Sequence, residues 1–368
     1  MAGVYLSYPF CAQKCTFCNF ASGVWPDAMK QRYERMLARE IEQHEWNWLP
    51  ETVYWGGGTP SLMRPEALEG AMRVIPADHI REATIECAPG SVTAERAQAW
   101  RAAGINRVSL GVQSFVEAEA RRTGRKHSAE VVQRELSVLA DAGIDNVNID
   151  LIAGLPGQTF DSWRASLGWV ERLAPPHVSI YMFEIDEDSR LGQEALLGGT
   201  RYGADVLPPD DAVAGFYEYA VERLRVLGLP RYEISNFARS GFESVHNLKY
   251  WNLEPYIGFG VDAHSFDGSL RWSNVDSPED YITRLERGAS PRADESCSDL
   301  EEEHFFVGLR LAAGIEPSAR EWSRFKEPID RSLASGLLVR DAERLRLTDR
   351  GFLLSNEVFQ EFVHAPAI

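Results

Sequence analysis

The chain has little cysteine, little basic charge and no long apolar run. Five of its 368 residues are cysteine. That is a poor disulfide framework, because three of them, Cys11, Cys15 and Cys18, fall within eight residues. In a reducing compartment such a cluster is more often metal-binding or catalytic. Lysine and arginine number 38 against 55 aspartates and glutamates, a net charge of −17. This argues against a general nucleic-acid binder, which needs a basic face, and against electrostatic docking on anionic lipid. A local basic pocket for a carboxylate is still permitted. No apolar stretch approaches the ~20 residues that span a bilayer. The opening MAGVYLSYPFC has no basic segment leading into an apolar run, so no signal peptide is expected. These absences together predict a soluble, cytoplasmic protein.

What is present is an alternation of β-rich runs and helical patterns. Strands are predicted at 4–10, 52–55, 83–87, 107–113, 146–152 and 177–183. Helices are predicted at 27–48, 65–75, 93–103, 128–142 and 159–173. Six βα units in this order imply a parallel sheet, since parallel neighbours need a crossover. Periodicity alone fits an open doubly wound sheet or a barrel. Both bind ligands at the C-terminal strand ends. The chemistry-bearing residues lie there: the cysteines after strand one, GGGTP after two, Glu86 and Pro89 after three, Gln113 after four, Asp150 after five. A helix is expected near 210–227 and another from about 298, then short helices and a possible hairpin at RLRLTDRG. The tail has a winged-helix outline, but it is too acidic to read DNA.

Three thiolates on a short polar loop suit three irons of a [4Fe–4S] cluster, which is normally held by four cysteines. Three leave one iron open. Zinc is the competitor, but its structural sites take four Cys or His ligands, and the closest histidine is His44. Cys87 and Cys297 read as small buried hydrophobes.

The C-x₃-C-x₂-C spacing after a first strand, with a Gly-rich turn after the second, resembles the radical S-adenosylmethionine (SAM) superfamily. The resemblance implies a [4Fe–4S] cluster on Cys11, Cys15 and Cys18, its open iron chelated by SAM. It also implies an α/β fold, a partial (β/α)₆ barrel with a C-terminal, mostly helical, winged-helix-like domain. YLSYPFC, LGVQSF, NIDLIAGLPGQT, HNLKYW and GLLVRDAERLRLTDRG narrow it to the oxygen-independent coproporphyrinogen III oxidase family and its heme-chaperone branch. By that likeness Tyr5 and Phe17 lie near the cluster, and Gly56, Gly57, Gly58, Thr59 and Pro60 form the GGTP motif that meets the SAM amino group. Glu86 contacts SAM, Gln113 and Asp150 attend the ribose, and Arg125 holds the SAM carboxylate, a task suited to a guanidinium fork. Ala88 departs from the family's usual asparagine, and Val261 and Asp262 stand where Gly-rich residues are usual. The expected domains are a core barrel at 1–205, an extension with HNLKYW at 206–290 and a helical domain at 291–368.

Two functions compete within the family. The oxidase, a coproporphyrinogen III dehydrogenase, makes protoporphyrinogen IX and usually carries a fourth cysteine in C-x₃-C-x₂-C-x-C and an N-terminal extension. Here Asn19 and Phe20 complete C-x₃-C-x₂-C-x-F, and the first cysteine arrives at residue 11. Both departures resemble the heme-chaperone branch. HNLKYW matches that branch's heme motif, which implies heme at His246, with Asn247, Tyr250 and Trp251 beside it and His264 as a second ligand candidate. The implied partners are heme or a porphyrinogen, acceptor hemoproteins such as respiratory ones, and an electron donor. The intact SAM set keeps the enzymatic alternative open.

Overall fold

The structure, a computed structural model, describes residues 2–363. The chain opens with β1 (Ala2–Tyr8), α1 (Asp27–Gln43), β2 (Pro50–Gly57), α2 (Pro65–Arg73), β3 (Glu82–Cys87), α3 (Ala94–Ala102) and β4 (Arg107–Gln113). It continues through α4 (Glu117–Arg122), α5 (Ala129–Asp141), β5 (Asn146–Ala153), α6 (Phe160–Leu173) and β6 (His177–Met182). Strands β1 to β6 pair in sequence, each parallel to the last. The side chains alternate by face. Val108 and Leu110 on β4, Ile149 and Leu151 on β5, and Val178 and Ile180 on β6 are fully buried in one apolar core. Their neighbours Ser109, Asp150 and Ser179 line an interior cavity instead. The result is an apolar outer layer under the helices and a polar lumen.

After β6 come α7 (Arg190–Leu196), α8 (Asp210–Val226) and β7 (Asn236–Ala238), the last antiparallel to β6. Helix α9 (Val245–Trp251) then carries the chain to the opposite edge, where β8 (Tyr256–Phe259) lies parallel to β1. Strands β9 (His264–Phe266) and β10 (Leu270–Asn274), helix α10 (Pro278–Glu286) and β11 (Arg292–Cys297) follow. The sheet order is β11-β10-β9-β8-β1-β2-β3-β4-β5-β6-β7. Among the described residues no pairing joins its two edges, so the barrel is partial. A second, smaller core gathers Phe305, Phe325, Leu345, Val358 and Phe362. This core is built by α11 (Leu300–Phe306), α12 (Ala319–Arg324), α13 (Lys326–Ala334), the hairpin β12 (Leu338–Asp341) and β13 (Arg344–Leu347), α14 (Asp349–Leu353), α15 (Ser355–Gln360) and flanking loops. No described helix is long and apolar enough to cross a membrane.

Three expectations need correction. Helix α1 stops at Gln43 rather than 48, because His44, Trp46 and Trp48 turn to pack edge-on against one another and His44 and Trp46 reach Phe259. The helix expected from 298 ends at Phe306. A 3-10 turn follows, and Leu311 and Ile315 then form isolated strand bridges to Glu233 and Leu345. Cys297 is exposed on edge strand β11 rather than buried.

One buried carboxylate ties α9 to the sheet. Glu82 opens β3 at 3% exposure. It accepts the N–H groups of Val245 (2.9 Å) and His246 (3.0 Å) and the Ser244 hydroxyl (3.2 Å). These N–H groups belong to the first turn of α9, where a negative charge is favoured. Glu82→Ala strands two backbone donors and the Ser244 hydroxyl, with an expected stability loss of about 3 kcal/mol in chemical denaturation. A loss under about 1 kcal/mol would contradict this anchoring.

Candidate functional site

The cysteine loop begins where β1 meets Pro9 and is pinned from three sides. Pro9 and Gly23 close its base: Gly23 N–H donates to the Pro9 carbonyl (2.9 Å) and Cys11 N–H to the Gly23 carbonyl (2.7 Å). Thr16 N–H reaches the Thr123 carbonyl after α4 (3.2 Å). Leu191 N–H at the start of α7 reaches the Thr16 carbonyl (2.9 Å), beside an Arg190 bond to the Lys14 carbonyl. Neither α4 nor α7 was anticipated from the sequence, and both brace this loop. Cys11 is buried, Cys15 and Cys18 are half-buried, and all three are free thiols. Burial pushes the Cys11 thiol up, eased by hydrogen bonds with Thr59 and Ser22. Metal binding therefore releases a proton here.

The glycine turn lies directly against this loop. Gly58 N–H donates to the Tyr8 carbonyl (2.8 Å) and Thr59 N–H to the Phe10 carbonyl (3.0 Å). A Cβ on Gly58 would stand 2.7 Å from the Pro9 carbonyl carbon and 2.9 Å from Phe10 N. Gly57 has φ +103°, which a side chain strongly disfavours. A Cβ on Gly56 would meet the Tyr5 ring at 2.8 Å. Only glycine lets the two segments touch.

A cavity of about 600 Å³ opens at this end of the barrel. Cys11, Cys15, Cys18, Phe17, Phe20, Gly57, Gly58, Thr59, Glu86, Gln113, Arg125 and Asp150 all line it. Four residues of the cavity lining carry a buried polar atom without a partner: Arg107 Nε, Gln113 Oε1, Arg125 Nε and, unforeseen, His127 Nε2. Gln113 sits at φ +67° where the β4–β5 register slips, a strained position of the kind found at functional sites. Tyr5 lies behind the cavity, stacked on Tyr54 (6.2 Å, 17°), whose hydroxyl donates to Glu86 Oε1 (2.9 Å).

Burial, reinforced by the Asp150 charge, raises Glu86 to about 7. Burial also raises Asp150, against hydrogen bonds from Ser179, Ser109 and Asn148. Desolvation together with the Arg125 charge lowers His127 to about 4, so it is neutral beside that arginine.

The structure does not bring the HNLKYW histidine to this cavity. His246 is 1% exposed on α9. Its Nδ1 is bonded to Thr52 Oγ1 and its Nε2 to the Tyr250 hydroxyl, each at 2.8 Å, and its ring stacks on Tyr54. Burial lowers it to about 3. Both nitrogens are engaged, so His246 is packed between α9 and the sheet here. Trp251 turns toward the C-terminal part, under the Arg310 guanidinium (5.2 Å). Asn247 alone of that motif lines the cavity. His264 is exposed on β9, away from the cavity lining. Asp262 takes φ +55°, a conformation glycine adopts more readily.

The residues present fit a cluster and SAM. Three free thiols and a glycine shelf share one cavity with unpartnered amide and guanidinium groups. Among the described residues no three His, Cys, Asp or Glu side chains converge on a single ion. A cluster makes no such demand, since each cysteine meets a different iron. The radical SAM superfamily model matches residues 5–170. Heme chaperone HemW of Lactococcus lactis is 32% identical, over 98% of this chain and 96% of that protein. HemW of Bacillus subtilis is also 32% identical, over 99% of each. The chain belongs to the HemW family of radical SAM proteins. HemW of Mycobacterium tuberculosis is 34% identical, over 97% of this chain and 93% of that protein. The solved coproporphyrinogen III oxidase HemN of Escherichia coli superposes at a TM-score of 0.84, covering 99% of this chain and 90% of that one at 21% identity. That likeness confirms the partial-barrel fold. Membership brings the superfamily's cofactors, a [4Fe–4S] cluster and SAM.

The raised Glu86 gives a pH test. Its ordinary value is 4.5 and its folded value about 7. Between these the folded protein holds a proton that the unfolded chain releases, so stability falls as pH rises through the window. Glu40 and Glu233 act in the same direction, each raised to about 7 by burial. Comparing Glu86→Gln with the native protein isolates the site. Without SAM, the variant should melt higher at pH 8, with the gap closing toward pH 5. A gap that does not change with pH would refute this assignment.

Proposed function

We propose that the chain is a heme chaperone. It binds heme, a [4Fe–4S] cluster and SAM, and transfers heme to acceptor hemoproteins. Cys11, Cys15 and Cys18 hold three irons, leaving the fourth for the amino and carboxylate groups of SAM. Thr59 and Gly56–Gly58 face the SAM amino group, Glu86 contacts SAM, Gln113 and Asp150 hold the ribose, and Arg125 pairs with the carboxylate. The carrying observation is that the triad, Gly57, Gly58 and Thr59 of the glycine turn, and these four polar residues line one cavity. The heme part rests on full-length likeness to proteins named heme chaperone HemW.

Heme is seated at the cavity mouth. There the lining includes Phe20, 62% exposed, and Tyr181, 43% exposed. Exposed aromatic rings in the lining suit contact with a flat macrocycle. Phe20 also occupies the position where the oxidase pattern has its fourth cysteine. When bound, the cluster supplies one-electron reduction of SAM. The protein's own contribution is to fix SAM between Arg125 and the glycine turn and to keep Glu86 beside it. The second reading, oxidation of a porphyrinogen, is favoured by one observation: the SAM-facing residues are all present in the cavity.

An anaerobic assay separates the two. Protein with a reconstituted cluster is given reductant, SAM and coproporphyrinogen III, and hemin is titrated separately. The chaperone reading predicts stoichiometric hemin binding with no turnover to protoporphyrinogen. Repeated turnover would replace it with the oxidase reading.

A further inference from the structure

Low in the lumen lies a guanidinium that, among the described residues, has no direct hydrogen-bond or ion-pair partner. Arg107 opens β4 and points inward at 2% exposure. Its guanidinium borders the cavity. Among the described residues it makes no side-chain hydrogen bond and no ion pair within 4 Å, and its Nε is buried without a partner. The groups around it are already committed to one another. Asn148 Nδ2 lies 2.7 Å from Ser109 Oγ, 2.6 Å from Asp150 Oδ1 and 2.9 Å from Ser179 Oγ. Asn148 Oδ1 is engaged by His177 Nδ1 (2.6 Å). The Ser179 hydroxyl donates to Asn236 Oδ1 (2.7 Å). The lumen is thus a closed polar network with one open guanidinium.

A buried arginine stays charged, and leaving that charge unpaired costs several kcal/mol. Nearby Asp150 and Glu86 feel it only at a distance, and both are still raised by burial. An anion that enters from the cavity would complete the site. We propose that Arg107 is a carboxylate-recognition residue that receives an acid arm of the bound ligand inside the barrel. This rests on the heme reading above: a tetrapyrrole bound in this cavity carries propionates, flexible acid arms with the chemistry Arg107 would receive. A fork of N–H donors fits a carboxylate bidentately. The other source of this chemistry is the carboxylate of SAM, and the test separates the two.

Hemin and hemin dimethyl ester, whose propionates are blocked, are titrated anaerobically into the native cluster-bound protein, Arg107→Gln and Arg107→Lys, and SAM affinity is measured in parallel. The native protein should bind the diacid about tenfold more tightly than the diester, one charge-assisted contact's worth. Arg107→Gln should lose that preference while diester and SAM affinities hold, and Arg107→Lys should keep part of it. The comparison on native protein stands even if a variant misfolds. Equal binding of the two hemins by native protein, or an unchanged preference in Arg107→Gln, overturns the inference and leaves the heme reading intact. A fall in SAM affinity with the hemin preference retained gives Arg107 to SAM and also overturns it. No hemin binding by native protein overturns the heme reading, and this inference with it.

Discussion

The site depends on the parallel register between β1 and β2. Ser7 pairs with Gly56 and Tyr8 with Gly57, so the two strands end level. The cysteine loop leaves one strand as the glycine turn leaves the other. Gly58 and Thr59 then bond to the carbonyls of Tyr8 and Phe10. A one-residue slip would turn every side chain to the other face and separate the thiols from the shelf. Close approach at Gly58 permits this contact, and α4 and α7 hold the loop in place from outside.

The rest of the barrel sets a different problem, which is how to keep charge in a lumen. Apolar residues on alternate positions of β4, β5 and β6 bury against the helices and stabilise the sheet. The intervening positions carry Arg107, Ser109, Asn148, Asp150, His177 and Ser179. Hydrogen bonding absorbs most of this polarity, but burial still raises Glu86 and Asp150, and Arg107 Nε has no hydrogen-bond partner. Such a lumen is less stable than an apolar one would be. These residues also line the cavity. Ligands that complete their bonds therefore stabilise the fold as they bind.

The parallel strands and the triad were legible because their signals are local. Short apolar runs between helical patterns placed β1 to β6 within about two residues, and the C-x₃-C-x₂-C spacing brought Cys11, Cys15 and Cys18 onto one loop. Edge strands β7 to β11 were not legible, since they are short and their residues, such as the exposed RADESC of β11, lack an apolar alternation. The burial of His246 was not legible because residue type says nothing of partners: Thr52, almost two hundred positions away, takes one of its nitrogens. Arg107 left a trace that could have been followed. In RVSLGVQ, NVNID and HVSIY the polar residues recur at every second position, which is the signature of a strand with a wet face.

The most direct test is electron–nuclear double resonance on the reduced cluster, with SAM labelled at its amino nitrogen and carboxylate oxygens. If the β1–β2 register holds the open iron over the glycine turn, the native protein shows coupling to both labels. Gly58→Ala, folded by circular dichroism, loses both. Couplings absent from the native protein, or unchanged in Gly58→Ala, would contradict the account.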